Sequence, residues 1–171
     1  MATLETNHWS QGHLAPWWGY QHRLLDYKNE PFNDPVTEEL WRKLGYTQTK
    51  FTGDMYDMRN PEPPWMKFFR GVFYFDHFSW SVYRMEPGTT IPEHRDTYSR
   101  FREVYNIDQD QDITRAIVFL EDWDRGHYLE LDGNPIVQWR AGDWVCWKND
   151  LPHIAANIGS TERYTLQITG I

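Results

Sequence analysis

Three observations predict a mainly β chain, of closed or jelly-roll architecture, with one helix flanking it near the N-terminus. From about Phe68 onward, short runs of β-branched and aromatic residues are separated by Gly, Pro, Asn and Asp. No helical stretch between those runs is long enough to serve as a parallel crossover. Ten Trp, ten Tyr and nine Phe supply rings to fill a core, although only 40% of the 171 residues are hydrophobic. The expected organisation is one domain, with 1–67 as an N-terminal helix and loop region and 68–171 as the β core.

The first third reads as irregular apart from one helix signal at 34–45. Asp34 suits the N-cap, Pro35 the first helical position, Glu38 and Glu39 the positive end of the dipole, and Gly45 a left-handed stop. Val36, Leu40, Trp41 and Leu44 form an apolar stripe, which is expected to pack against the rest of the chain. Residues 60–65 carry three prolines and read as a loop. Strands are expected at 69–75, 77–85, 90–96, 114–120, 128–131, 135–139, 143–147, 153–157 and 164–169. Asp132-Gly133-Asn134 signals a tight hairpin, and Ala141-Gly142-Asp143 a second turn. Many short strands at roughly even spacing favour a barrel or jelly roll over a parallel α/β sheet.

With 17 Lys+Arg against 25 Asp+Glu the formal charge is −8, which argues against binding to nucleic-acid backbones. A single cysteine, Cys146, excludes an internal disulfide framework and a cysteine-based zinc site. Met1–Trp9 has no basic-then-apolar leader pattern, and no run approaches a membrane span. A cytoplasmic protein without a membrane partner is the expectation.

Two of the seven histidines sit in suggestive settings. His94 and Asp96 are two apart in an extended segment, so an imidazole and a carboxylate project from one face as a mixed seat for a divalent ion. His153 follows a turn at 150–152, 57 residues beyond Asp96, which leaves room for the chain to wrap a barrel and return. In the last run, Arg163, Thr165, Gln167 and Thr169 alternate with Tyr164, Leu166 and Ile168. If the apolar set packs into the shell, Arg163 and Thr165 point into the lumen, where a guanidinium beside a hydroxyl makes a carboxylate seat. The rival partner for Arg163 is a shell carboxylate such as Glu162 or Asp143.

His94-Arg95-Asp96, the distal His153, and Arg163 ten residues beyond it with Thr165 two further resemble the His-x-Asp…His…Arg-x-Ser/Thr signature of the iron(II)/2-oxoglutarate-dependent dioxygenases. The resemblance spans roughly 80–171, with support from 87–93, 115–122 and 139–143. It is similar to the prolyl 4-hydroxylase and aspartyl/asparaginyl hydroxylase branches; Asn157 favours the second, whereas Asp96 departs from it. The resemblance implies a double-stranded β-helix, Fe(II) on His94, Asp96 and His153, and 2-oxoglutarate as cosubstrate with its distal carboxylate on Arg163 and Thr165. Tyr83 and Arg115 are lesser candidates for cosubstrate contacts. It further implies a hydroxylase that consumes O₂, acts on a small-molecule or peptide substrate, and belongs to a bacterial or phage-infected cell. Oligomeric state is not indicated.

The other chemical residues read as structural. The run Asp108–Asp112 lacks the Gly and Glu that a calcium loop needs and reads as a solvated acidic loop. His127 and His77 read as structural histidines, Trp9, Trp17, Trp18 and Tyr20 as packing, and Cys146 as a small buried hydrophobe. Two rival functions stand beside the oxygenase. One is a cupin-like metal protein without 2-oxoglutarate; the other is a non-enzymatic ligand-binding β-barrel module that uses the aromatic N-terminal surface.

Overall fold

The computed structural model describes residues 8–49, 51–149 and 151–171. The first seven residues of the leader reading at Met1–Trp9, and Asp150 of the turn before His153, lie outside the described residues. The strands are β1 (Trp9–His13), β2 (Lys28–Pro31), β3 (Thr52–Asp57), β4 (Phe78–Met85), β5 (Thr89–His94), β6 (Thr114–Phe119), β7 (His127–Leu131), β8 (Asn134–Ile136), β9 (Asp143–Lys148), β10 (His153–Asn157) and β11 (Arg163–Gly170). Three short helices join them: α1 (Pro35–Lys43), α2 (Met66–Val72) and α3 (Ser99–Tyr105). The order β1-β9-β6-β11-β4-β3-β2 makes one sheet and β5-β10-β7-β8 the other; all pairings are antiparallel. This is the expected mainly β, double-stranded β-helix architecture.

Alternation along the strands divides the core into layers. On β11, Tyr164, Leu166 and Ile168 face outward, where they join Trp18 and the α2 residues Met66 and Phe69. Between the sheets, Ile117, Phe119, Val145 and Trp147 of the larger meet Leu129 and Leu131 of the smaller. Tyr83 and Met85 meet Ile91 across the same space. The space between the sheets is therefore a lumen whose walls are largely apolar.

Several local expectations need correction. The run at 69–75 is not a strand: Met66, Phe69 and Phe73 recur at helical spacing and bury one face of α2, while Lys67 and Arg70 face solvent. The aromatic content mimics a strand, but the period is helical. The N-terminal third is less irregular than its Trp and Pro content suggests, because it supplies β1, β2 and β3 as outer strands of the large sheet. The helix α3 lies between Asp96 and the acidic loop, where no helix is expected. The strand expected at 135–139 ends at Ile136, since Gln138 takes a left-handed φ of 60° that a ladder cannot continue.

The helix α1 forms as punctuated. Asp34 accepts hydrogen bonds from the Val36 and Thr37 amides at 3.1 and 3.2 Å, and Gly45 terminates at φ 109°. Its stripe does not pack as expected. Trp41 is 1% exposed, but Val36, Leu40 and Leu44 are 77%, 55% and 69% exposed. One large indole anchors the helix, and the i, i+4 row beside it turns outward. Asp132 and Gly133, at φ 50° and 74°, make the expected hairpin between β7 and β8. At the second turn Gly142 is required, since a Cβ there would lie 1.9 Å from the Leu14 carbonyl oxygen.

Candidate metal centre and anion seat

The strand β5 ends at His94 and β10 begins at His153, and antiparallel pairing sets these two residues directly opposite each other. Their rings are 4.1 Å apart, and Asp96 projects to the same point just past the end of β5. Ligand atoms of His94, Asp96 and His153 all lie within 4.8 Å of one another. Both imidazoles are oriented in the same way. His94 Nδ1 donates to the Pro92 carbonyl at 2.8 Å, and His153 Nδ1 to the Leu151 carbonyl at 2.9 Å. Since a carbonyl only accepts, each neutral ring carries its proton on Nδ1 and presents an Nε2 lone pair, as a metal ligand must.

Arg115, on β6, holds Asp96 Oδ2 through Nε and Nη2, both at 3.0 Å. Burial alone would raise the Asp96 pKa, but the Arg115 charge and the two imidazoles hold it down to about 2. Burial takes His94 down to about 4, with His153 adding to the shift. At neutral pH the site therefore offers one carboxylate and a neutral His94 imidazole. Phe32 and Trp41 stand edge-on to His94 at 5.4 and 5.7 Å, and Trp147 lies 5.2 Å from His153. The Trp41 indole N–H donates to the Glu93 carbonyl, which ties α1 to the strand that carries His94.

Alternation along β11 does turn Arg163 and Thr165 inward, and they are 3% and 1% exposed. Arg163 Nη1 donates to the Tyr128 carbonyl at 2.8 Å and touches Met85 Sδ at 3.4 Å, so it bridges the two sheets. Neither shell carboxylate meets it. Asp143 pairs with His13 at 2.8 Å, while Glu162 accepts from Tyr164 and lies 3.6 Å from Arg84. Among the described residues no carboxylate forms an ion pair with Arg163; its Nε and the Thr165 hydroxyl are buried without a partner. Burial lowers the Arg163 pKa to about 10, which leaves it cationic at neutral pH. The lesser candidates divide: Tyr83, on the lumen face of β4, is electrostatically coupled to Arg163, whereas Arg115 serves Asp96. The Tyr83 ring lies so close to Gly53 that a Cβ there would come within 1.8 Å of it.

Three residues gain a structural role that the sequence did not assign them. Asn157 is fully buried and donates to the Met85 and Thr161 carbonyls at 2.8 Å each, which fixes the turn that delivers Arg163. Met85 shares strand parity with Tyr83, a usable signal. Trp139 enters the lumen from a loop, which no alternation announces.

No family model matches the chain, and no curated protein matches it. Among solved structures, the chain is similar to a prolyl-4-hydroxylase from Pseudomonas putida, at 16% identity over 95% of this chain and 92% of that one, with a TM-score of 0.58. A predicted oxalate decarboxylase from Thermotoga maritima aligns at 12% identity over 71% of this chain and 83% of that one, with a TM-score of 0.44. A cupin protein from Bacteroides fragilis aligns at 15% identity over 59% and 71% of the two chains, with a TM-score of 0.40. At these identities the likeness is one of fold.

Proposed function

We propose that the chain is a single oxygenase domain, Fe(II)- and 2-oxoglutarate-dependent, which hydroxylates a small-molecule or peptide substrate in the cytoplasm. The observation that carries the reading is Arg163, a buried cation with an orphaned Nε, beside an orphaned Thr165 hydroxyl, in the lumen that also holds the His94–Asp96–His153 cluster. A guanidinium buried without an acid is costly unless an anion meets it. A dicarboxylic 2-oxo acid suits both halves of the lumen, since one end can chelate a metal while the other meets the guanidinium.

When bound, iron and 2-oxoglutarate supply the oxygen chemistry, with succinate and CO₂ as the co-products. The chain's own residues bind, orient and exclude water. His94 and His153 would hold the ion through Nε2, and Asp96, kept ionised by Arg115, would add the anionic ligand. Arg163 has Nη1 tied back to Tyr128, which leaves Nε without a protein partner and available to a carboxylate. Thr165 adds a hydroxyl donor. Phe32, Trp41 and Trp147 wall the metal side against solvent.

The test is succinate formation from 2-oxoglutarate with Fe(II) and ascorbate, screened against peptide and metabolite pools. Wild type is expected to form succinate and Arg163→Ala to lose most of it while still binding metal. Metal-dependent turnover of another kind, indifferent to 2-oxoglutarate and to Arg163→Ala, would replace the proposal with a cupin-type reading. A chain with no metal affinity would leave a binding module.

A further inference from the structure

We propose that Trp139 is a positioning residue of the anion seat, its indole face standing in for the acidic partner that Arg163 lacks and holding the guanidinium's open edge toward the lumen. This rests on the function proposed above. The Arg163 guanidinium carbon lies over the Trp139 ring, 5.7 Å from its centroid. The Tyr128 carbonyl and Met85 sulfur both engage Nη1, and beside Tyr83, which also interacts with the charge, the indole is the aromatic face that the guanidinium carbon overlies among the described residues. Indole is the strongest of the aromatic partners for a cation, and its attraction grows where water is excluded.

The plane of that indole is fixed rather than incidental. Trp139 stacks on Phe119 at 4.0 Å and 11°, and lies nearly parallel to His127, 6.3 Å and 16° away. The ring is 6% exposed, at the end of a loop that has left the ladder at Ile136. That loop is tied at four successive residues. The Trp139 carbonyl accepts from the Trp123 amide at 2.9 Å; the Arg140 and Ala141 amides each donate at 2.8 Å, to Asp143 and Asp122; and the Gly142 amide donates to the Phe119 carbonyl at 2.8 Å. Gln138, at φ 60°, makes the left-handed step just before the ring. An unusual non-glycine conformation, secured on its far side, delivers one side chain to Arg163.

The experiment is anaerobic equilibrium binding to the Mn(II)-loaded protein of two probes: 2-oxoglutarate, and pyruvate, which has the same 2-oxo acid head but no second carboxylate. Trp139→Leu and Trp139→Met should each weaken 2-oxoglutarate binding roughly tenfold, with Trp139→Phe intermediate. Affinities for pyruvate and Mn(II) should match wild type in all three. Unchanged 2-oxoglutarate affinity in the Leu and Met variants overturns the proposal. So does an equal loss for both probes, or loss of Mn(II) from both variants, since each makes Trp139 general packing. Wild-type 2-oxoglutarate affinity in Arg163→Ala is a separate result, which removes the proposed function itself.

Discussion

At the residue scale, His94 and His153 each give their Nδ1 proton to a carbonyl two positions earlier, so the same local turn chemistry sets both lone pairs before any ion arrives. Asp96 depends on a different neighbour. Arg115→Met should leave its carboxylate misoriented and weaken Mn(II) binding roughly 10- to 100-fold, read by calorimetry, as removal of an outer-shell partner does. Arg163 should behave in the opposite way toward stability. Arg163→Met removes a buried cation that pairs with no acid among the described residues, so the ligand-free protein should melt no lower than wild type while 2-oxoglutarate binding is lost. A large fall in melting temperature would mean that the Tyr128, Met85 and Trp139 contacts, rather than a ligand, account for the side chain. The inward direction of Arg163 and Thr165 was legible in the sequence because alternation on a half-buried strand is a strict period of two. Arg115's attachment to Asp96 was not, because it joins two elements whose spacing in sequence says nothing about their approach.

At the element scale, α1 shows how one side chain can outweigh a pattern. Trp41→Ala removes a buried ring that touches Phe32, Phe51 and His94, and should cost about 3–5 kcal/mol in chemical denaturation. Leu40→Glu, on the exposed row, should stay within about 0.5 kcal/mol of wild type. The sequence read the helix and its cap correctly because Asp34 and Pro35 act locally. It misjudged the packed face because a stripe specifies a direction only once a neighbour is known. The segment around the 3₁₀ turn Gln21–Leu24 is strapped to the loop after β6 by Glu121, which His22 contacts at 2.6 Å and Arg23 through both carboxylate oxygens. Burial pushes the Glu121 pKa up, but Arg23 and His22 bring it from 4.5 to about 2. A folded pKa below the unfolded one gives stability that is complete above about 4.5 and lost as pH falls toward about 2. The stability gap between wild type and Glu121→Gln, measured by urea denaturation, should therefore narrow between pH 6 and pH 3; a constant gap would contradict the strap.

At the scale of the whole molecule, two antiparallel sheets bring together residues far apart in the chain. The ladder between β5 and β10 sets His94 opposite His153, and β11 carries Arg163 to where Tyr128 of the other sheet meets it. That architecture was legible from evenly spaced β-rich runs and turn residues. The strands near the N-terminus were not, because β1 pairs with β9 far along the chain, while β2 and β3, though paired in order with each other and with β4, lie in a Trp- and Pro-rich stretch that reads as irregular. Among the described residues no helix is long and apolar enough to cross a membrane.

Anaerobic titration of the protein with Fe(II), followed by 2-oxoglutarate, tests the proposed joint metal and anion site most directly. Wild type should take up one equivalent of each, with the second binding only after the first, and His153→Ala should take up neither. Iron binding unchanged by His153→Ala, or 2-oxoglutarate binding that ignores the metal, would contradict it.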